Sequence, residues 1–365
     1  MNNWHECELG SVVTLKRGYD LPQQKRIDGN VPIFSSSGIS GYHNTPMVSA
    51  PGVITGRYGT IGQVFFSSID YWPLNTTLYV EDFHGNDPLF IYYFLKTIQW
   101  EKYQSASAVP GINRNAVHTE IVSIPDKETQ GQIADILAVL DKKIKNSQQI
   151  NDNLYQQAMA LFTETFLTYP FEGESIPLYD FADYINGAAF KPADYSEDGL
   201  PIIKIAELKN GITDSTQLYN GDKGEKYIIH DKDILFSWSG NPDTSIDIFI
   251  WCGGKAILNQ HTFNVKSKEG IRWFIYLMLK YFKPQFSQIA SNKQTTGLGH
   301  VTAADLKRLS FPYDREQILS FEEAVSPFME SIYNNMLENR RLASLRDALL
   351  PRLMSGEIDV SSVVL

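Results

Sequence analysis

Residues 130–165 read QGQIADILAVLDKKIKNSQQINDNLYQQAMALFTET, and residues 318–353 read ILSFEEAVSPFMESIYNNMLENRRLASLRDALLPRL. Steps of three and four from Ile133 collect Ile133, Leu137, Leu140, Ile144, Ser147, Asn151, Leu154, Ala158, Leu161 and Thr165, of which seven are apolar. The same steps 188 positions later collect Phe321, Val325, Phe328, Ile332, Asn335, Asn339, Leu342, Arg346, Leu349 and Leu353, again with seven apolar. That spacing is the seam of a long amphipathic helix, and two such helices suit a coiled coil. The fifth and sixth places are polar in both stripes: Ser147 and Asn151, then Asn335 and Asn339. Antiparallel pairing sets the fifth layer of one helix against the sixth of the other. All four residues then meet at mid-seam, where a buried polar layer costs stability but fixes register. Parallel pairing also matches polar with polar. The globular segment between the helices needs a return path and favours the antiparallel form. Two amphipathic helices packed on separate domains is the plainer alternative. Pro327 is expected to start or kink the second helix, and Pro351 to end or kink it near Leu350, because proline lacks the backbone N–H. Gly356 suits a helix C-cap.

Outside the helices the chain repeats itself. Val31-Pro32-Ile33 is echoed by Leu200-Pro201-Ile202, Leu74-Asn75 by Leu258-Asn259, Pro125 by Pro312 and Gln130 by Gln317, in the same order. Each repeat begins with a mixed α and β segment. Short β-rich runs at 12–15, 52–55, 63–66 and 77–80, and at 201–205, 234–238, 246–251 and 262–265, are separated by Gly, Pro, Asn and Ser clusters. A helix rich in aromatic residues is expected over 88–98 and again over 270–281. The reading is α+β: two mixed α/β domains in pseudo-repeat, separated by two long helices that pair as an antiparallel coiled coil. The expected boundaries are 1–125, a first helix over 126–168, 169–313, and a second helix with a tail over 314–365.

A chain of 365 residues with 43% hydrophobic and 20% charged residues has room for two buried cores. No run of ~20 apolar residues is present, so no membrane span is expected. The N-terminal MNNWHECELG carries no basic and apolar leader pattern, so no signal peptide is expected. The two cysteines, Cys7 and Cys252, lie in opposite halves and outside any CxxC, which fits a reducing cytoplasm and excludes a cysteine zinc site. A net charge of −10 argues against coating DNA by bulk attraction, though not against local basic patches or a basic partner.

Catalytic patterns are missing. Gly56-Arg57-Tyr58-Gly59-Thr60-Ile61-Gly62 lacks the Gly-Lys-Ser/Thr ending of a phosphate loop, and its glycines suit a tight turn. Asn241-Pro242-Asp243-Thr244 lacks the second proline and the aromatic of a methyltransferase loop. The seven histidines form no HExxH or close pair. No clustered carboxylates of a nuclease appear. The expectation is a non-enzymatic chain with no cofactor and no metal.

Over nearly its whole length the chain resembles the specificity subunit of type I restriction–modification systems. The resemblance rests on Gly56–Gly62 after the strand Val53–Thr55, on Leu74-Asn75-Thr76-Thr77 with Leu258-Asn259-Gln260-His261, on Ile124-Pro125 to Gln130 leading into Ile133-Ala134-Asp135-Ile136-Leu137, and on Leu349-Leu350-Pro351-Arg352-Leu353-Met354-Ser355-Gly356. It implies two target-recognition domains, each reading one half of a split site in double-stranded DNA, with the helices setting the gap. It also implies docking of two methyltransferase subunits and of restriction subunits, which would carry the chemistry. A helix of ~35 residues is ~50 Å long, more than one turn of B-DNA.

Base edges are read by Arg, Asn, Gln, Ser and Thr, while phosphates are held by Lys, Arg and backbone N–H groups. Polar loops therefore supply the candidates. The first domain offers Ser35, Ser36, Ser37, Arg57, Tyr58, Thr60, Asn113 and Arg114. The second offers Lys204, Trp238, Ser239, Asn241, Lys293, Gln294, Thr295 and His300. A plain surface loop is the competing reading for each. Trp238 and Trp72 suit a core as well as a stacking platform, and Lys142-Lys143-Ile144-Lys145 suits a solvated helix face. The competing function is a coiled-coil adaptor with two protein-binding domains, which would favour apolar loop tips; these tips are mostly polar.

Overall fold

The computed structural model describes residues 4–104, 111–169, 173–294, 298–361 and 363. Contacts divide the chain into two units, residues 1–144 with 341–365, and residues 145–340. Each unit thus takes a globular segment and a portion of both long helices.

In the first unit a four-stranded antiparallel sheet runs in the order Thr14–Arg17, Thr77–Asp82, Gly52–Gly56, Val64–Ser67. A second sheet sets Val31–Ser35 between Gly38–His43 and Trp72–Pro73, the latter in parallel. His5–Glu8 pairs with Ile121–Ile124. The helix Pro88–Leu95 starts where Asp87 accepts the Phe90 N–H at 2.8 Å, with Pro88 in the first turn, where its missing donor costs nothing. Phe90, Ile91, Tyr93, Phe94 and Leu95 are all buried, which leaves this helix little solvent face. Ile133, Ala134 and Leu137 of the first long helix and Leu353 and Met354 of the second join that core.

The second unit repeats the arrangement. Its sheet runs Ala182–Asn186, Thr262–Ser267, Ile234–Ser237, Asp247–Ile250. Leu200–Ile203 pairs in parallel with Ala256–Leu258, and Ser175–Pro177 pairs with Ser310–Pro312. Its core is aromatic: Phe162 lies 5.4 Å from Phe311, and Phe166 lies 5.1 Å from Phe321 and 5.3 Å from Phe274, ring centre to ring centre. The helix Arg272–Asn292 extends well past Tyr281, the expected end, because Pro284 faces solvent. In the first unit only the second half of the run at 12–15 is strand. Leu9–Val12 forms a helical turn and the strand starts at Thr14.

Backbone hydrogen bonds fix the repeat register. Gly18 N–H donates to Thr77 O at 3.1 Å, and Gly187 N–H to Thr262 O at 3.0 Å. Leu74 N–H donates to Phe34 O at 2.9 Å, and Asn259 N–H to Ile203 O at 3.0 Å. Leu74 therefore answers to Asn259, one residue beyond the echo that residue types suggest. Asp126 accepts the Thr129 N–H and Asp314 accepts the Gln317 N–H, each at the head of a long helix. Thr129 answers to Gln317, and Pro125 to Tyr313; the Gln130–Gln317 and Pro125–Pro312 echoes are each one residue out. The Val31-Pro32-Ile33 echo and both helical stripes are in register.

The long helices are Lys127–Phe166 and Arg315–Met354, 40 residues each. No residue of either stripe is exposed. Within the second unit, Asn335 Nδ2 donates to Asn151 Oδ1 at 2.7 Å and Gln317 Nε2 to Thr165 O at 3.2 Å, so the helices run antiparallel. Within the first, Arg346 Nη1 donates to Asp141 Oδ1 at 2.7 Å. Pro327 does not start the second helix, which begins twelve residues earlier, and Pro351 does not end it. Both prolines are exposed, as are Glu323 and Asp347 four residues before them, so the carbonyls that proline frees belong to solvent-facing residues. Gly356, at φ +73°, stands just past the helix end as expected.

Candidate nucleic-acid interface

In the first unit the strand Thr14–Arg17 ends against Gly18, whose Cβ would stand 2.2 Å from Leu74 O. Only glycine permits that approach, and Arg17 is left at the strand end, exposed. Arg57 and Tyr58 follow the strand Gly52–Gly56. The Arg57 N–H donates to Thr76 O at 2.8 Å and its carbonyl accepts from Ile112 N–H at 3.0 Å. Tyr58 bridges to Gly111, where a Cβ would meet the tyrosine ring at 2.2 Å. The next turn places Asn113, which caps the helix Arg114–His118 by accepting the Asn115 N–H at 3.1 Å.

These segments enclose an open cleft of about 420 Å³ lined by Arg17, Arg57, Tyr58, Asn113, Arg114 and Asn115 among others. The Arg57 guanidinium sits 4.5 Å from the Tyr58 ring centre. Arg114 Nη1 donates to Leu15 O at 3.4 Å. His118 Nε2 accepts the Leu15 N–H at 2.9 Å. Burial, then the charge of Arg114, holds its pKa below the usual histidine value, which suits a neutral acceptor. Ser35 to Ser37 form the hairpin turn beside this cleft. Ser36 lies against Gly56, and Ser35 Oγ donates to Gly38 O at 3.0 Å. Thr60 is exposed on the glycine turn, where Gly59 and Gly62 have positive φ.

The second unit brings part of its set together at the corresponding place. Trp238 N–H donates to His261 O at 3.3 Å, and its carbonyl accepts from Val301 N–H at 2.8 Å, as Arg57 does with Thr76 and Ile112. Ser239 pairs with His300. Trp238 Nε1 donates to Asn186 Oδ1 at 3.1 Å, and its ring stands 5.6 Å from Phe263 and 5.7 Å from His261. Asn241 turns its amide oxygen to its own loop, accepting from Asp243 and Thr244 N–H groups. Lys293 is paired with Asp305. Burial alone would raise that carboxyl, but Lys293 and Thr302 outweigh it and hold the pKa below the usual range. Lys204 Nζ donates to Tyr195 OH at 3.3 Å. Gln294 is exposed, and Thr295 lies outside the described residues.

Reasoning from loop composition missed Arg17 and Asn186. Each ends a strand rather than sitting in a Gly- or Ser-rich loop, and the available signal was the Gly18 and Gly187 that follow them. Among the described residues, no three His, Cys, Asp or Glu side chains gather as a metal cage, and no helix is long and apolar enough to cross a membrane.

In the helix seam, Asn151 Nδ2 also reaches Ile332 O at 3.5 Å. The same register sets Ser147 opposite Asn339. Ser147 Oγ and Asn339 Oδ1 are buried and make no hydrogen bond among the described residues.

Residues 1–156 and 171–342 match the family described as the type I restriction modification DNA specificity domain. The type I restriction enzyme HindI specificity subunit of Haemophilus influenzae is 23% identical, covering 98% of this chain and 100% of its own length. The MjaIX specificity subunit of Methanocaldococcus jannaschii is 23% identical over 75% of this chain and 70% of its own. Among solved structures, the type I restriction–modification S subunit from M. genitalium shares the fold. Its TM-score is 0.58 at 17% identity, over 96% of both chains.

Proposed function

Because this chain belongs to the type I restriction–modification DNA specificity family, and so serves as the sequence-recognition subunit of such a complex, we propose that residues 1–125 and 169–313 each read one half of a split target. The helices over 126–168 and 314–365 join the two readers and set the gap between half-sites. Two methyltransferase subunits and the restriction subunits dock on this frame and carry the chemistry, while this chain binds without catalysing. It works in the cytoplasm, in keeping with its free Cys7 and Cys252.

One observation carries the reading: the same backbone frame occurs twice and carries different polar surfaces. Arg57 and Trp238 make the same main-chain bonds, yet one presents a guanidinium and the other an indole. Two such readers suit a target with unlike halves. Ser35, Ser36, Ser37, Arg57, Tyr58, Thr60, Asn113 and Arg114 are the first reader's candidate contacts. Trp238, Ser239, His300 and Lys204 lead in the second.

The test is co-expression with the partner methyltransferase, followed by mapping of methylated sites in host DNA. The expected result is a two-part motif with unlike halves and a fixed gap, which changes when a heptad is removed from both helices. Methylation that is unchanged when this chain is omitted would sink the reading and leave the protein-adaptor alternative in front.

A further inference from the structure

Three guanidinium groups, Arg17, Arg57 and Arg114, line one cleft of the first unit, and its lining contains no carboxylate. None of the three pairs with a carboxylate among the described residues. The backbone frame identifies their counterparts in the second unit. Arg17 pairs across to Leu78 as Asn186 pairs to Phe263. Arg57 and Trp238 share their bonds, as above. Asn113 and Thr302 cap equivalent helical turns, so Arg114 answers to Ala303. All three cations are gone. The nearby Lys293 is neutralised by Asp305.

We infer that the first unit holds its half-site by guanidinium groups donating to paired acceptors of DNA, whereas the second unit engages its half-site at the equivalent surface without guanidinium groups, with Lys204, in the place of Ser35, as the cation there. This rests on the recognition role proposed above. The acceptors are phosphate oxygens or the O6/N7 edge of guanine; Arg makes bidentate bonds to both. The asymmetry has a thermodynamic signature. Each phosphate neutralised contributes about −0.9 to the slope of log affinity against log salt. In a chain with net charge −10, local cations of this kind are what such a slope depends on. The first unit therefore carries the larger share of the salt dependence.

The experiment measures binding of the complete complex, this chain with its methyltransferase partner, to a duplex bearing the mapped motif, over a range of salt. Arg17→Gln, Arg57→Gln and Arg114→Gln are each expected to weaken binding, and for a phosphate contact to flatten the slope by about one. Trp238→Leu and Asn186→Ala are expected to leave the slope unchanged. The Arg→Lys series separates the two acceptors. Lysine preserves a phosphate contact, but relaxes preference at one base pair of the first half-site if guanine is read. Arg17 is exposed at a strand end, so its variants keep the test open if those at Arg57 fail to fold. A triple Gln variant with wild-type slope and target preference overturns the inference, as does a slope that moves with Trp238. In either case methylation of a split motif that still requires this chain keeps the recognition role standing.

Discussion

Gly18 and Gly187 hold the same place in the two units: each donates its N–H to a buried threonine carbonyl, and each lies too close to a carbonyl oxygen to carry a side chain. One residue before them the units part company, with Arg17 in the first and Asn186 in the second. One layer inward the contrast continues: the first core is mostly Leu, Val and Ile with Phe90, Tyr93, Phe94 and Trp100, while the second gathers nine buried phenylalanines, Phe162, Phe166, Phe181, Phe236, Phe274, Phe282, Phe286, Phe311 and Phe321. Main-chain geometry is held in common, while the surfaces it displays and the side chains that fill it vary. A duplicated frame can thus read two unlike sequences.

The sharpest way to break this comparison is to give both glycines a methyl group. In Gly18→Ala the new Cβ would stand 2.2 Å from Leu74 O, and in Gly187→Ala 2.1 Å from Asn259 O. Both obstacles are backbone, which cannot rotate away. Each substitution is expected to cost more than about 3 kcal/mol, confined to its own unit. Hydrogen exchange resolved by peptide would show protection lost from strands 14–17 and 77–82 in one case, and from 182–186 and 262–267 in the other. A harmless Gly187→Ala would mean the two frames are not equivalent.

The helix pair gives a second contrast. In the second unit it is joined by a neutral amide bond, Asn335 to Asn151. In the first it is joined by a charged one, Arg346 to Asp141, with Tyr93 OH donating to Asp141 Oδ2 at 2.7 Å. Asn335→Ala leaves the half-buried Asn151 Oδ1 without its donor, at a cost of about 1–3 kcal/mol. Replacing both with Leu is expected to restore or raise the melting temperature while loosening register, visible as mixed oligomers in light scattering. Arg346→Met, acting on a partly exposed pair, is expected to cost about 1 kcal/mol or less, and the loss should shrink in high salt. Salt-insensitive loss at Arg346 would count against an ionic link in the first unit.

Legibility in the sequence followed the physics. The two seams were readable because a helix repeats its burial every three to four residues over many turns, and the signal accumulates. The repeat was readable in outline but slipped by one at Leu74-Asn75, Pro125 and Gln130. Residue identity was the only guide there, whereas the frame is fixed by main-chain bonds that Leu74 and the unlike Asn259 make equally well. Pro327 and Pro351 misled as helix ends for a related reason. The cost of proline in a helix depends on whether the carbonyl it frees can reach water, which is a tertiary fact. Of the candidate cleft, loop residues such as Arg57 and Asn113 were singled out by composition. Arg17 and Asn186 escaped because the convergence that gathers them comes from strands distant in sequence.

The smallest effect expected is also the one that separates the units by sign. In the first unit His118 Nε2 accepts the Leu15 N–H, and burial, then Arg114 and His84, depress its pKa below 6.5. The folded state favours the neutral ring, so the unfolded chain takes up the proton first as pH falls. This stabilisation is complete above 6.5 and is lost as the pH drops through the lower folded value. The equivalent helical turn of the second unit, Ala303–Arg308, has Lys307 in that place. There Asp194, Asp247 and Asp305 are lowered and stay charged between pH 7 and 5, and the raised carboxyl is Glu322, which accepts the Trp273 and Phe274 N–H groups at 3.1 and 2.7 Å. Burial dominates and raises its pKa above 4.5 despite those bonds. A raised acid has the opposite linkage: its contribution is fullest below 4.5 and declines as pH rises through the folded value. On acidification from neutral pH the first unit should therefore soften while the second holds or firms. Exchange protection read separately in strands 14–17 and 262–267 between pH 7 and 5, corrected for intrinsic exchange, should diverge. His118→Gln, which keeps an acceptor for the Leu15 N–H but cannot titrate, should remove the first unit's response and leave the second's unchanged. Parallel losses in both units, unaltered by His118→Gln, would place the acid sensitivity in a feature the two units share rather than in these two side chains.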